Sequence, residues 1–556
     1  MKIGEIKIGE KYVMPFTIPS GIITTQVSTL ERIAKLIPEL GVLTTKTITL
    51  EPLEGNREPI LAKIYLSESL PNFSLGFVNA VGLENPGAEE FARMLKSSRF
   101  PSNKFLLASI GGKSKEEFLE IVEILEDCVD GFELNLSCPT KIGYCASLVK
   151  SKEKIVYEIT KSNVKITKKP IFVKLGYENI VALAKEALEA GAYGISAINT
   201  ISNYFEEIDN YPILSNKYGG ISGNIIKPIA LRSIRLIRCE LGENFKIIGI
   251  GGIRNANDIK NFALAGANIF GIGSALEGLK ESELREYFSL LIYDLENETN
   301  HAEQLLKNAD MRYKKVEVVE KIKFAEDGVI IKFNIDVEAL PGQFVFLWIP
   351  GFGEKPFSVV DKNPLTLAIM KRGILTTKIL ELEKGDNVYI RGPYGNGIEL
   401  DKMKESKEFV LVAGGVGIAG IYLIAKDLNE NGIKPLIIIG AKDRKHLILL
   451  DELKKFGDVF VATEDGSLGF KGMVTDLFEE IKESIKKGCY FFNCGRKEMI
   501  EALLPKEMEI TEKERIYFSF DHITKCGIGL CGRCASENGL RTCIEGPFIS
   551  AKYFGK

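Results

Sequence analysis

Through the first half of the chain, short β-branched apolar runs alternate with charged segments of helical period, the pattern of a parallel α/β fold. Eight runs read as strands: Met14–Pro19, Val42–Thr47, Phe105–Ile110, Gly131–Leu136, Pro170–Leu175, Tyr193–Ile198, Lys246–Ile250 and Asn268–Gly273. That number in one α/β segment predicts a (β/α)8 TIM barrel over residues 1–295. A doubly wound sheet is the alternative, but it would not bring so many strand ends to one site. Polar or glycine-rich segments follow most of the runs (PSG, TKT, LNLSCP, VKLG, INT, GIGG and GIGS), at the rim where barrel chemistry occurs. Residues 296–314 are charged, helical in pattern and free of Gly and Pro, a connector. Short strands with turn signals over 315–404 (LPGQFVFLWIP, RGPYGNG) predict an antiparallel β-barrel. Strand–helix alternation returns over 405–515 as an α/β nucleotide-binding domain, and 516–556 forms a small closing lobe. The uncharged stretch Phe409–Ala425 is short for a membrane span, and its centre AGGVG reads as a turn from buried strand to buried helix.

At 556 residues the chain is long for one domain, and its apolar content of 45% supplies ordinary globular cores. A net charge of −3, spread without basic blocks, gives no reason to expect nucleic acid as a partner, and no membrane association is expected either. The start, MKIGEIKIGEKY, has no apolar run of the kind a secretion signal needs. With ten cysteines and no such signal, the expected setting is a reducing cytoplasm.

Four of those cysteines, Cys526, Cys531, Cys534 and Cys543, lie in KCGIGLCGRCASENGLRTCIEGP with spacing C-x4-C-x2-C-x8-C. The spacing matches the plant-type 2Fe–2S ligand pattern, and Gly527, Gly529 and Gly532 leave backbone N–H groups free to turn toward an anionic cluster. A structural zinc knot also takes four thiolates, though it usually pairs two C-x2-C knuckles where this loop has one.

Asn135, Ser137 and Cys138 fall at the end of the fourth predicted strand. A rim cysteine is either a packing residue or, with an accessible thiolate, a base or nucleophile. Lys46, Lys174 and Asn199 fall at other strand ends and Asn79 in a loop, so a lysine and amides are available to orient a planar anionic heterocycle or a flavin. None of the three histidines, His301, His446 and His522, lies at a strand end, which leaves Cys138 as the candidate base. GIGG (Gly249–Gly252) and GIGS (Gly271–Ser274) close the last two strands, where barrels commonly bind phosphate.

Together NLSCP, TTKT, VNAVGLENPG, VKLG, AINT, GGISG and GIGGI resemble the class 1 dihydroorotate dehydrogenases, FMN barrels of pyrimidine synthesis. The resemblance implies Cys138 as the base that takes the C5 proton, and Lys46 touching both flavin and substrate. It implies that Asn79, Ala80, Val81, Gly82, Leu83, Asn135, Asn199 and Thr200 hold the pyrimidine. FMN would be held by Ser20, Lys46, Thr47, Asn135, Lys174, Ile198, Gly223, Gly251, Gly252, Gly273 and Ser274. Three positions depart from the family pattern: Thr140 for a substrate-binding Asn, KIGYCASL for a glycine-rich continuation, and Ser109 for a residue near the flavin that is commonly Asn. Cys145 is a lesser candidate base.

PGQFV (Pro341–Val345), KPFSV (Lys355–Val359), GPYGNG (Gly392–Gly397) and AGGVGIA (Ala413–Ala419), in that order, are similar to the ferredoxin–NADP reductase superfamily. With RTCIEGP and the cysteine loop the likeness narrows to the electron-transfer subunit of the class 1B, NAD-dependent dihydroorotate dehydrogenases. It implies FAD along Lys355, Pro356, Phe357, Ser358 and Thr376, with lysine where the family prefers arginine. It also implies NAD at Gly414, Gly415 and Gly417. Lys442, Arg444 and Lys445 would suit a 2′-phosphate, so NADP stays open, although the family precedent is NAD. The implied protein is a fusion of catalytic and electron-transfer subunits that oxidises dihydroorotate to orotate. Electrons would pass from FMN through a 2Fe–2S cluster and FAD to NAD+, in a homodimer formed through the barrel. The alternatives are an FMN-barrel reductase of another pyrimidine or enone using NAD(P)H, and an electron carrier with an inactive barrel.

Overall fold

A computed structural model describes residues 3–66, 74–137, 152–403, 408–520 and 523–554. The chain divides into two compact units: residues 1–309 with 528–539, and residues 310–527 with 540–556.

In the first unit, eight parallel strands close into a barrel: β1 (Phe16–Ile18), β2 (Leu40–Thr44), β3 (Phe105–Ile110), β4 (Gly131–Asn135), β5 (Ile171–Leu175), β6 (Gly194–Ala197), β7 (Lys246–Ile250) and β8 (Ile269–Gly271). Each pairs with the next in chain order, and β8 returns to β1. These are the eight apolar runs of the sequence: Phe105–Ile110 and Lys246–Ile250 keep their bounds, five are shorter, and β2 is shifted, beginning at Leu40 rather than Val42 and ending at Thr44. Thr45–Thr47, for example, leaves the ladder after Thr44 and turns across the rim, with the Thr45 N–H on the Leu107 carbonyl at 3.0 Å. The helices that cover the barrel bury one face each. The helix Val27–Leu36 turns Val27, Leu30, Ile33 and Ala34 inward, spaced i, i+3, i+6 and i+7 along one face of an amphipathic helix. Two of the barrel helices start on a short polar cap: Ser114 accepts from the Glu117 N–H, and Asn255 from that of Asp258.

The N-terminal hairpin Ile6–Ile8/Lys11–Val13 plugs one end of the barrel, packing Ile8 and Val13 on Val42, Phe105, Phe172 and Ile248. A four-stranded antiparallel sheet joins Ile201–Tyr204, Gly219–Ser222, Ser74–Asn79 and Leu61–Tyr65, in that order. Its outer strand is anchored by the buried Lys63, which donates to Glu277 at 2.8 Å, to Asn308 at 2.5 Å and to the Ala309 carbonyl at 2.8 Å. Much of the segment 296–314, read as a connector, is part of this unit. The helices Glu281–Asn297 and His301–Gln304 contribute Leu284, Phe288, Leu291, Leu295 and Ala302 to the barrel core. The boundary falls between Ala309 and Asp310.

The second unit contains two seven-stranded sheets. The first runs through β9 (Lys314–Ala325), β10 (Gly328–Phe333), β11 (Phe344–Ile349), β12 (Gly353–Ser358), β13 (Asp361–Lys362), β14 (Leu365–Met370) and β15 (Asn387–Tyr394). Its order is β12-β11-β15-β9-β10-β14-β13, antiparallel throughout, and it curls until β12 and β14 touch around an aliphatic core. The second comprises β16 (Phe409–Gly414), β17 (Leu436–Ala441), β18 (Asp458–Thr463), β19 (Phe470–Lys471), β20 (Tyr490–Cys494), β21 (Ile516–Ser519) and β22 (Ile549–Ser550). Its order is β19-β18-β17-β16-β20-β21-β22, parallel except for the last strand. The strand order reverses beside β16, the position where doubly wound sheets open a crevice for ligands. The uncharged stretch from Phe409 is β16, a one-turn break at Gly415–Gly417 and the buried start of the helix Ile418–Glu430. Among the described residues no helix is long and apolar enough to cross a membrane.

Candidate active site

At the C-terminal ends of the barrel strands one pocket collects side chains from widely separated parts of the chain. It is lined by Ser20, Lys46, Thr47, Asn79, Ala80, Val81, Gly82, Leu83, Asn135, Lys174, Ile198, Asn199, Thr200, Gly223, Gly251, Gly252, Gly273 and Ser274. Every described barrel residue assigned to flavin or substrate from the sequence is therefore there. Cys138, Thr140, Cys145 and the KIGYCASL segment lie outside the described residues.

A chain of hydrogen bonds runs along the pocket floor. The Thr47 hydroxyl is its hub, 2.9 Å from the Ser20 hydroxyl, 3.0 Å from that of Ser109 and 3.1 Å from Asn135 Nδ2. Ser137 donates to Asn135 Oδ1 at 3.1 Å, Asn199 Nδ2 donates to the Ser137 hydroxyl at 2.8 Å, and Asn199 Oδ1 accepts from the Thr200 N–H at 2.9 Å. The chain sets the orientation of both amides, because Asn135 and Asn199 each use the amide nitrogen as donor and the amide oxygen as acceptor within it. Ser109 thus belongs to the floor, although its side chain does not line the pocket. Lys46 and Lys174 are both buried, and Lys174 stands 3.8 Å from the carboxylate of Glu133, one pleat below on the neighbouring strand. The Ala197–Ile198 peptide is cis.

The glycines at the far side leave room for a ligand oxygen. Gly252 has φ +83°, and a Cβ there would come within 2.9 Å of both the Gly223 carbonyl and the Lys227 side chain. A cradle that any side chain would fill fits the phosphate of a flavin mononucleotide.

Residues 528–539, the middle of the cysteine loop, belong to the barrel unit. The Ile23 N–H donates to the Leu530 carbonyl at 2.6 Å, the Thr25 hydroxyl to the Cys531 carbonyl at 2.7 Å and the Gly278 N–H to the Ile528 carbonyl at 2.9 Å. Arg533, between two of the cysteines, pairs with Glu84 at 2.7 Å, and Leu530 and Cys531 reach the pocket lining. Cys526 and Cys543 belong to the second unit. Each of the four cysteines is buried in its own unit, and thiols at this spacing are the ligand type that an iron–sulfur cluster uses. Among the described residues no group of three or more His, Cys, Asp and Glu side chains stands together as a metal site on geometry alone, so spacing and burial are what mark these thiols out.

In the second unit, Lys355, Pro356, Phe357 and Ser358 run along β12, with Lys355 and Ser358 exposed. The Thr376 hydroxyl accepts from the N–H groups of Arg372 and Gly373 at 2.8 and 2.9 Å, closing the turn before the helix Ile374–Glu381. Gly414, Gly415 and Gly417 occupy the turn after β16, at the reversal of strand order. Lys442, Arg444 and Lys445 are exposed just past β17. A Cβ on Gly420 would lie 2.6 Å from Cys494 Sγ and 3.9 Å from Ser358 Oγ, so β12 and β20 bring a thiol and a hydroxyl to the same helix start.

A model of the dihydroorotate dehydrogenase family matches residues 5–283. The chain belongs to the dihydroorotate dehydrogenase family. Among curated proteins it is 38% identical over 239 residues to a probable dihydroorotate dehydrogenase B (NAD(+)) electron transfer subunit of Pyrococcus abyssi, covering 43% of this chain and 90% of that one. It is also 36% identical over 276 residues to the catalytic subunit of dihydroorotate dehydrogenase B (NAD(+)) of Methanocaldococcus jannaschii, covering 48% of this chain and 85% of that one. The corresponding Pyrococcus abyssi catalytic subunit is 37% identical over 273 residues, with 48% and 85% covered. This dihydroorotate dehydrogenase homologue therefore carries, on one polypeptide, likeness to two separate subunits.

Reading the sequence missed pocket walls that arrive from elsewhere in the family fold: Phe77, Ser202, Gly220 and Ser222 from the four-stranded sheet, and Leu530 and Cys531 from the cysteine loop. The sheet residues carry no motif of their own. The cysteine loop was legible only for its thiols, and nothing in its spacing indicates which surface it covers.

Proposed function

We propose that this protein oxidises dihydroorotate to orotate and delivers the electron pair to NAD+. The single rim pocket that Lys46, Asn79, Asn135, Asn199 and Thr200 line, beside the Gly251–Gly252 cradle, is the observation that carries the reading. The substrate is a planar ring with an anionic carboxylate. Lys46 supplies the opposite charge, and the amides, held by the Thr47–Asn135–Ser137–Asn199 chain, supply donors and acceptors for ring carbonyl and N–H groups. Oxidation removes the C5 proton and the C6 hydride and forms the C5=C6 double bond. Cys138, three residues beyond Asn135, is the group that takes the proton, since its thiolate needs only a modest shift from the ordinary thiol range near neutral pH. When bound, FMN at the rim would supply the hydride acceptor, the cluster a one-electron relay, and FAD the two-electron store from which NAD+ takes a hydride. Ser20, Thr47, Lys174, Gly223, Gly252 and Ser274 would hold the first flavin, Lys355–Ser358 and Thr376 the second, and Gly414–Gly417 the pyrophosphate of the dinucleotide.

Anaerobic titration of the purified protein with dihydroorotate tests the proposal. The flavin and iron–sulfur absorbance bleaches, and adding NAD+ restores it. If NADH bleaches the protein but dihydroorotate does not, the reading fails. Cys138→Ser slows bleaching by dihydroorotate by roughly 100-fold or more while bleaching by NADH is unchanged.

A further inference from the structure

In the second unit the guanidinium of Arg391 is sealed from solvent. Arg391, on β15, is 2% exposed. Its Nε and Nη2 donate to the two carboxylate oxygens of Glu354 at 2.6 and 2.8 Å, and its Nη1 donates to the Cys526 carbonyl at 3.0 Å. Tyr313 donates to the same carboxylate at 2.6 Å. The guanidinium lies 3.9 Å from the ring centre of Phe346, with the rings of Tyr394 and Tyr313 at 5.2 and 5.7 Å.

A buried ion pair of this kind needs a reason. Replacing such pairs with apolar residues of similar volume is often neutral or stabilising, because taking two charges out of water costs about as much as their attraction returns. The two ends of this pair suggest the reason. Glu354 immediately precedes Lys355–Ser358, the segment assigned to the second flavin, and faces Trp348 in the β11–β12 ladder. Cys526 is the first thiol of the cysteine loop. Its neighbour Gly527 has φ +81°, and a Cβ there would come within 2.7 Å of the Phe346 ring, the ring on which the guanidinium stacks. The loop is thus pressed onto the arginine, and the arginine onto the flavin strand.

Resting on the reading of Cys526 as an iron–sulfur ligand, we propose that Arg391 is a positioning residue for the cluster. It fixes the backbone of the first ligand against the strand that lines FAD, and Glu354 cancels the charge that the guanidinium would otherwise impose on the cluster. Cluster potentials respond to nearby charge, hydrogen bonding and burial, and a low-dielectric interior screens none of these well.

The test uses full-length holoenzyme, with electron paramagnetic resonance (EPR) spectra and a redox titration of the reduced cluster. In Glu354→Gln the guanidinium loses its counter-charge beside Cys526, so the cluster becomes easier to reduce and its midpoint potential moves to a more positive value. Arg391→Lys keeps a charge but loses the three-way fork, so it loads iron with an altered EPR line shape. In the double variant Arg391→Met with Glu354→Gln, the potential moves back from that of Glu354→Gln toward wild type while the line shape stays altered. Wild-type potential and line shape in Glu354→Gln and Arg391→Lys would overturn the proposal and reduce the pair to core packing. If Glu354→Gln does not fold, Arg391→Lys decides alone: an unaltered spectrum overturns the proposal and an altered one supports it. Wild-type protein that shows no iron–sulfur signal sinks instead the reading on which the proposal rests.

Discussion

Thr47 shows how much of the pocket depends on one hydroxyl. It meets Ser20, Ser109 and Asn135 at once, and replacing it with valine leaves three polar groups short of a partner. Thr47→Val is expected to lower stability by roughly 1–3 kcal/mol, the usual cost of orphaning buried polar groups, and to raise the dihydroorotate KM as Asn135 loosens. Denaturant unfolding and steady-state kinetics check the two effects. Glu507 offers a separate test in the α/β region. Burial pushes its carboxyl from 4.5 up to about 8, against a weaker opposing hydrogen bond from Asn493. The folded chain therefore keeps this proton after the unfolded chain has lost it. The associated stability is complete below about pH 4.5 and is lost as pH rises toward 8, at roughly 1.4 kcal/mol per pH unit within that window. In Glu507→Gln the melting temperature of the second unit should fall less between pH 6 and pH 8 than in wild type. Neither residue announces itself in the sequence. Thr47 was legible only through its position after a predicted strand, and Glu507 looks like any helix glutamate until the fold buries it.

At the scale of elements, the strands and the motifs that end them were readable because parallel strands buried on both faces leave continuous apolar runs, and the chain must turn where polar residues follow. The uncharged stretch from Phe409 was readable for the same reason, its glycines interrupting the run. The segment 296–314 was not. Its charged composition hides Ala302, which is fully buried in the barrel core, and Leu305 and Leu306, which pack against that core, because a few apolar residues suffice when a short helix lies on a ready-made surface. The turn carrying Gly252 makes the sharpest element-scale prediction. A methyl group there meets the Gly223 carbonyl and Lys227 at 2.9 Å, in a backbone conformation that L-residues avoid. Gly252→Ala should therefore weaken FMN binding by roughly tenfold, about 1.4 kcal/mol, without unfolding the barrel. Flavin retained after desalting, measured beside far-ultraviolet circular dichroism, tests it.

For the whole molecule, the two units sharing one chain is the property that most sets expected behaviour. Purified holoenzyme should contain FMN and FAD in equal amounts, with iron at about two atoms per chain. Electron delivery within one polypeptide does not depend on two chains meeting, so dihydroorotate-dependent NAD+ reduction per mole of protein should hold constant on dilution from about micromolar to about nanomolar concentration. A specific activity that falls with dilution would show that the working unit needs something beyond one chain. This division was largely visible in the sequence, where the α/β pattern gives way to short antiparallel strands. The allocation of residues 528–539 to the barrel unit was not visible, because contacts between residues hundreds of positions apart leave no local periodicity.

The joining of the two units also bears on waste. A reduced flavin with no outlet gives its charge to dioxygen, and proteins assembled from separately made parts pass through a stage in which that outlet is missing. Here source and sink lie on one chain, so under the proposed function each barrel is made together with its drain, and holoenzyme turning over dihydroorotate with NAD+ in air is expected to release little peroxide or superoxide.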